Sequence, residues 1–455
     1  MLISRIVGDV PDYKCFKTVE ELNNDSIELA RSSPDLVSLK RIGKSRNGED
    51  IILLQIGKGS KEALLFACPH PNEPIGAMML TYLSERLAGD KALREAFDFR
   101  WNIIKCIDPD GTKLNEPWFK GPFTPKNYAE KYYRPASYEQ VEWTFPVDYK
   151  TLKFDNPLPE TRALMNVIEE FRPDFMYSLH NSGFGGAFFY ISKEESELYD
   201  LFHDTVKRRD IPLHMGEAEA PFMKKYADAV FKIPTIRDNY DFIAENMDID
   251  PAKVINMGAS SFEFLSGYNK DAFGLVCEVP YFYDHKIEDQ TEINISRREV
   301  LLESIKISSE IINKINSVLE KGEGLFQTQS PYLKAAKQLL LMYENNNRTR
   351  TAWAENSPGM EMKATIAHYF DGITIAKFYH LILIGMFIRH FDYEIENSSL
   401  RREKLRQLKV SKDILFDYFL SINESMEKEL KYQQIPIKKL VEIQLESGMK
   451  IIQKM

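Results

Sequence analysis

Ala67-Cys68-Pro69-His70-Pro71-Asn72-Glu73-Pro74-Ile75-Gly76 follows an apolar run, Ala63 to Ala67, and precedes an amphipathic stretch from Gly76 to about Leu87. The run reads as a buried strand and the stretch as a helix. A His and a Glu three residues apart at a strand end can aim an imidazole nitrogen and a carboxylate oxygen at one ion, because Pro71-Asn72 turns the chain between them. Those are two of the three protein ligands of a catalytic zinc, whose fourth position is left to water. His-x-x-Glu alone is equally a surface turn, so its meaning depends on what lies downstream.

Residues Thr18 to Ser32 read as a helix closed by Pro34, and Leu36 to Ile42 as a strand. Arg46-Asn47-Gly48-Glu49 is a hairpin signal, since Asn-Gly supplies positive φ angles for a tight turn. Further strands are expected over Ile51 to Ile56 and Trp101 to Ile107, the latter stopped by a turn at Asp108-Pro109-Asp110-Gly111. From Thr112 to Asn156 the chain is aromatic and without periodicity, which predicts a long functional loop. A helix opens at Pro159-Glu160-Thr161-Arg162, and the short strand Phe175 to Leu179 delivers His180.

His180 precedes Asn181-Ser182-Gly183-Phe184-Gly185-Gly186, a segment that lets another backbone or a ligand approach closely. By itself His180 is as well explained as a core residue. With His70 and Glu73 it completes two His and one Glu at strand ends, a catalytic zinc ligand set. Gly274 to Val279 is a buried strand pattern containing one carboxylate, Glu278. A carboxylate there is costly unless it is paired or borders a cleft, and a zinc hydrolase needs a base to move a proton from water to the leaving amine. Glu278 is the candidate base.

The order of these parts resembles the zinc metallocarboxypeptidases, the M14 or carboxypeptidase A-like group, from about Thr18 to Ile315. The likeness rests on His70-Pro71-Asn72-Glu73, Asp108-Pro109-Asp110-Gly111, Pro159-Glu160-Thr161-Arg162, Ser178-Leu179-His180 and Val276-Cys277-Glu278. It implies an α/β fold with a mixed, mostly parallel, twisted eight-stranded sheet flanked by helices. It further implies one Zn2+ per chain on His70, Glu73 and His180, with Glu278 as base. Members that cleave a C-terminal residue carry an Asn-Arg pair for the substrate carboxylate. Aligning Phe145-Pro146 with the family puts Glu142 and Trp143 there instead. The bidentate donor is then gone, and a substrate with a cationic or aromatic group is expected. The resemblance also offers Arg134 for the oxyanion, or alternatively for a substrate carboxylate or a surface ion pair, Tyr268 for the substrate side or for packing, and Glu263 for the side-chain pocket, where it would favour a basic group.

The chain has 455 residues, 44% hydrophobic and 28% charged, enough for two or three domains and a sizeable core. Its net charge of −9 argues against nucleic acid or an anionic membrane as partner. Cys15, Cys68, Cys106 and Cys277 are widely spaced, which suits free thiols in a reducing compartment. The start lacks the apolar core of a signal peptide, and Phe378 to Ile388 is too short to span a bilayer, so a cytoplasmic location is expected. Residues 1–321 are expected to form the catalytic domain, 322–331 a linker, and 332–455 an α-helical appendage at the C-terminus. The apolar Phe378 to Ile388 helix is the expected face for a homo-oligomer. Three functions compete: a zinc amide hydrolase acting on a small peptide or peptide-like substrate, an N-acyl amino acid deacylase of the succinylglutamate desuccinylase and aspartoacylase type, and a non-catalytic binding protein with a degenerate site.

Overall fold

The computed structural model describes residues 2–455. Nine strands form the central sheet: β1 (Val37–Lys44), β2 (Asp50–Ile56), β3 (Lys61–Ala67), β4 (Phe99–Ile104), β5 (Phe175–Leu179), β6 (Phe188–Ile191), β7 (Lys225–Ala227), β8 (Val230–Lys232) and β9 (Phe273–Glu278). Their order across the sheet is β1-β2-β4-β3-β5-β9-β6-β8-β7. The resemblance implied eight strands; the short pair β7 and β8 extends the far edge. Parallel pairings run through the centre, β4-β3-β5-β9, and recur between β6 and β8, while the remaining four pairings are antiparallel.

Both faces of the central strands are buried, as a sheet covered by helices on each side requires. Ala63, Leu65 and Ala67 of β3 face one core, while Leu64 and Phe66 face the other. Ten of the sixteen α-helices among the described residues bear on the site and its surroundings: α1 (Val19–Ser32), α2 (Ile75–Gly89), α3 (Pro109–Phe119), α4 (Pro125–Lys131), α5 (Pro159–Phe171), α6 (Arg297–Gly322), α7 (Pro331–Asn356), α8 (Ala376–Asn397), α9 (Arg402–Glu429) and α10 (Ile437–Lys454). Helix α1 starts where expected, at a capping box in which Thr18 and Glu21 exchange hydrogen bonds. Asp108-Pro109-Asp110-Gly111 does not form a turn. Asp108 caps α3, accepting from Gly111 N at 3.0 Å, with Pro109 in the first helical turn. The expected long loop accordingly contains α3, α4 and the hairpin Val147–Tyr149 with Leu152–Phe154.

The helices beyond residue 331 do not stand apart from the sheet. Leu440, Val441, Ile443, Leu445 and Met449 of α10 join the same core as β3, β5 and α2. Gly448 of α10 lies so close to β5 that a Cβ there would meet the Tyr177 ring at 2.8 Å. The expected linker is ordered: Gln327 N and Thr328 N donate to the buried Glu394 carboxylate, and Ser330 caps α7 while its Oγ lies 2.8 Å from His390 Nδ1. A 32-residue helical stretch, Ile366–Asn397, is apolar enough by length and composition to cross a membrane, yet 72% of its most apolar window is buried within the protein. Phe378, Leu381, Leu383, Ile384 and Phe387 are completely covered. The face expected to serve a homo-oligomer is therefore used internally.

Candidate active site

Three neighbouring parallel strands end at the same level, with Ala67 of β3 opposite Leu179 of β5 and Leu179 opposite Cys277 of β9. The residues that follow come together by register alone, His180 beside Glu278 and the His70 loop beside both. Crevices at the carboxyl ends of such strands are where open α/β sheets bind ligands. Cys68 adopts a left-handed φ of 54°, turning the chain sharply out of β3, a conformation that costs a non-glycine residue about 1–3 kcal/mol. The loop is then pinned: Asn72 Nδ2 donates to Tyr128 Oη, Tyr281 Oη donates to Asn72 O, and Asn181 N donates to Glu73 Oε2.

His70, Glu73 and His180 form a buried cluster able to hold a metal ion. His70 Nδ1 lies 3.1 Å from Glu73 Oε1, and His180 Nδ1 lies 3.0 Å from both His70 Nδ1 and Glu73 Oε2. Donor atoms around a tetrahedral zinc with bonds of about 2.0–2.1 Å are roughly 3.3 Å apart, so the spacing fits. Protonation states fit as well. Burial and the Arg134 charge push His70 down to about 3, keeping its imidazole neutral. Burial works against ionisation of Glu73, but His70 and His180 outweigh it and hold the carboxyl well below its usual range. Neutral imidazole and carboxylate are the forms that bind a metal.

The back of His180 is held by a relay. Its Nε2 lies 2.8 Å from Ser178 Oγ, which donates to Glu142 Oε2 at 3.1 Å. With the Ser178 hydroxyl proton directed to the carboxylate, Ser178 Oγ accepts from His180 Nε2–H, which turns Nδ1 toward the cluster. His70 Nε2, by contrast, is buried without a hydrogen-bond partner.

Glu278, the last residue of β9, has Oε1 3.9 Å from His180 Nδ1, and its Oε2 is buried without a partner. Burial raises its pKa well above the ordinary carboxylate value, and the charges of Glu73 and Glu219 add to the effect. Arg134 reaches the cluster from the opposite side, Nη1 standing 3.4 Å from Glu73 Oε1 while Nε donates to Gln140. All of these line one cavity of about 330 Å³, within the range of small-ligand sites.

The other expected substrate residues divide. Trp143 lines the cavity. Glu142 borders it but is committed elsewhere, accepting from Ser178 Oγ, Ser261 N and Ser261 Oγ. Its carboxylate is thus held by Ser178 and Ser261 rather than standing free in the cavity. Glu263 is a helix cap, accepting from Ser260 N and Ile236 N, and lies off the cavity. Tyr268 is exposed and donates to Glu169, so it does not reach the site. Sequence reasoning missed Ser178, although its position two residues before His180 puts both side chains on one strand face. It also missed Gln444 of α10, whose Nε2 donates to His180 O at 2.6 Å and lies 3.4 Å from Cys277 O, tying both active-site strands together. A glutamine on the apolar face of an amphipathic helix was the available signal. Tyr379 and Ile382 of α8 complete the cavity wall.

Two imidazoles and a carboxylate converge on one point able to hold a metal ion, with a further carboxylate, Glu278, beside them. Residues 23–230 match the Peptidase_M14 family model, described as zinc carboxypeptidase; the match includes His70, Glu73 and His180 and stops short of Glu278. Over that stretch the chain is similar to the zinc carboxypeptidases, and the cluster able to hold a metal ion lies within it. Solved structures with similarity include the carboxypeptidase A from Helicoverpa armigera, at 16% identity over 62% of this chain and 70% of that one, TM-score 0.39. Bovine thrombin-activatable fibrinolysis inhibitor in complex with tick carboxypeptidase inhibitor gives 14% identity, 58% and 86% coverage, and a TM-score of 0.38. The metallo-carboxypeptidase from Burkholderia cenocepacia gives 14%, 60% and 61%, and 0.33. No curated protein matches the chain.

Proposed function

We propose that the protein hydrolyses an amide bond in a small peptide or peptide-like substrate, with one zinc ion held by His70, Glu73 and His180 and Glu278 acting as the base. The observation that carries this is the Glu278 carboxylate, beside His180 with one oxygen unpartnered in the cavity. Zinc bound there would supply Lewis acidity, polarising the scissile carbonyl and making water easier to deprotonate. Glu278 takes the proton from the attacking water and returns it to the leaving nitrogen. The permanently charged Arg134 guanidinium lines the same cavity, where it would stabilise an oxygen on which negative charge develops. The relay Glu142–Ser178 fixes the His180 ring while it does so.

Strict removal of a C-terminal residue is not part of the proposal, because Glu142 and Trp143 offer no clamp for a free carboxylate. That same observation favours a second reading, hydrolysis of an N-acyl amino acid. Cytoplasmic location is proposed from the four free cysteines, three of them buried, and neither nucleic acid nor membrane is proposed as a partner. The test is metal analysis followed by a panel of dipeptides and N-acyl amino acids, with Glu278→Gln as control. Glu278→Gln is expected to retain its metal and lose turnover by roughly 10²–10⁴-fold. Turnover preserved in that variant would remove Glu278 from the mechanism, and a preference for acyl amino acids would select the second reading.

A further inference from the structure

A second cavity, also of about 330 Å³, adjoins the first, and the two share Ser182, Glu219 and Tyr379 in their walls. One side of it is a face of α7, where Tyr343, Asn347, Arg350 and Trp353 recur at helical spacing. The opposite side includes Asp371 and Tyr379, from the short π-helical segment Phe370–Ile375 and the first turns of α8.

The acidic groups here have partners. Glu217 is gripped through both oxygens by Arg297. Asp371 Oδ2 accepts from Glu217 N at 3.2 Å and lies 3.7 Å from His214 Nε2. Glu219 accepts from Tyr190 Oη. Arg350 differs: its one side-chain hydrogen bond goes to Ser304 Oγ at 3.0 Å, and among the described residues no carboxylate oxygen lies within the 4 Å of an ion pair. Burial lowers its pKa even though Asp371 and Glu217 act in the other direction. A half-buried guanidinium that lines a cavity with spare donors and no carboxylate partner is well placed to receive a planar anion. At the seam between the cavities, Ser182 Oγ is buried and has no partner.

We propose that the second cavity is a subsite for an anionic group of the substrate remote from the scissile amide, with Arg350 gripping that carboxylate and Ser182 Oγ meeting the substrate backbone in between. The substrate class is then an extended acidic peptide, the opposite polarity from the one that Glu142 and Glu263 suggested before their carboxylates were found engaged. This inference rests on the amide-hydrolase reading, and α7 enters it as part of the active site.

The test uses the full-length, zinc-loaded protein and a series of end-blocked peptides in which one glutamate is moved along the chain, each paired with its glutamine twin. At one position the glutamate peptide should show a kcat/KM roughly tenfold or more above its twin, expressed mainly in KM. Arg350→Gln should abolish that preference and Arg350→Lys should keep part of it, with circular dichroism showing both folded. Calorimetric binding of the same pairs to Glu278→Gln protein gives a reading that does not need turnover. A preference equal in wild type and Arg350→Gln, or absent at every position in both measurements, overturns the subsite. Glutamate-selective binding lost in Arg350→Gln, with no peptide hydrolysed by the wild type, would support the subsite and overturn the peptidase reading.

Discussion

At the residue scale, the relay behind His180 separates charge from geometry. Glu142 is buried, and burial raises its pKa while His180 and the hydroxyls of Ser261 and Ser178 act to lower it. Replacing it by glutamine keeps the volume and one acceptor but removes the anion that directs the Ser178 proton and, through it, the His180 tautomer. Glu142→Gln is expected to weaken zinc binding by about 10–100-fold, measured by competition with a chromophoric chelator. Unchanged affinity would show that Glu142 serves only to hold Ser261. Glu142→Ala should in addition cost on the order of 1–3 kcal/mol of stability, because Ser261 N–H is left buried and unpaired. Much of the site was legible at this scale. His70, His180 and Glu278 each stand at or just past the end of a short apolar run that reads as a buried strand, and Glu73 follows His70 by one turn of the chain. Glu142, Glu263 and Tyr268 were misread because a carboxylate or phenol in a plausible stretch carries no mark of where its hydrogen bonds go. Glu263 shows the physical reason: three residues after Ser260, it is as good a capping partner as a pocket residue.

At the element scale, the legible features were those with local causes. Thr18 and Glu21 announce α1, Gly48 with φ 90° closes the hairpin between β1 and β2, and Pro159 opens α5. Helix α3 was missed because Asp-Pro-Asp-Gly is both a turn signal and a helix start, and only the Asp108 bond to Gly111 distinguishes them. The role of α10 was missed for a different reason. Its amphipathic pattern says that one face is buried but not against what, and the answer is a strand 267 residues away, where Tyr177 Oη donates to Gln444 O. That contact makes a prediction about α10 as a support for the site. Gly448→Ala places a methyl group against the Tyr177 ring and is expected to cost about 1–3 kcal/mol, read as a lower urea midpoint. Because Gln444 ties the strand ends carrying His180 and Glu278, the same variant should also lower zinc affinity. A full loss of stability with zinc affinity unchanged would make α10 a cover for the sheet and nothing more.

At the scale of the whole molecule, the helices beyond residue 331 and the sheet share one core, and two buried histidines that are not part of the metal cluster lie on α8. His380 and His390 of α8 are almost completely covered. Burial drives His380 down to about 4, with the Arg350 charge acting in the same direction and the bond to Ala376 O against it. Burial likewise drives His390 down to about 4, with Glu394 opposing and Lys337 assisting. An unfolded histidine titrates near 6.5. Between roughly pH 6.5 and pH 4 the unfolded chain therefore binds more protons than the folded one, so stability is present above that window and is lost as the pH falls through it. Each histidine is expected to remove roughly 2 kcal/mol by pH 5, at about 1.4 kcal/mol per unit. Urea titrations of wild type and His380→Gln at pH 7.5 and pH 5, on chelator-treated protein so that zinc release does not contribute, isolate the effect. The variant should start less stable at pH 7.5, having lost the bond to Ser308 Oγ, yet fall by less on acidification. An equal fall in both proteins would mean that His380 takes up its proton in the folded state without cost, and that acid sensitivity arises elsewhere in the core.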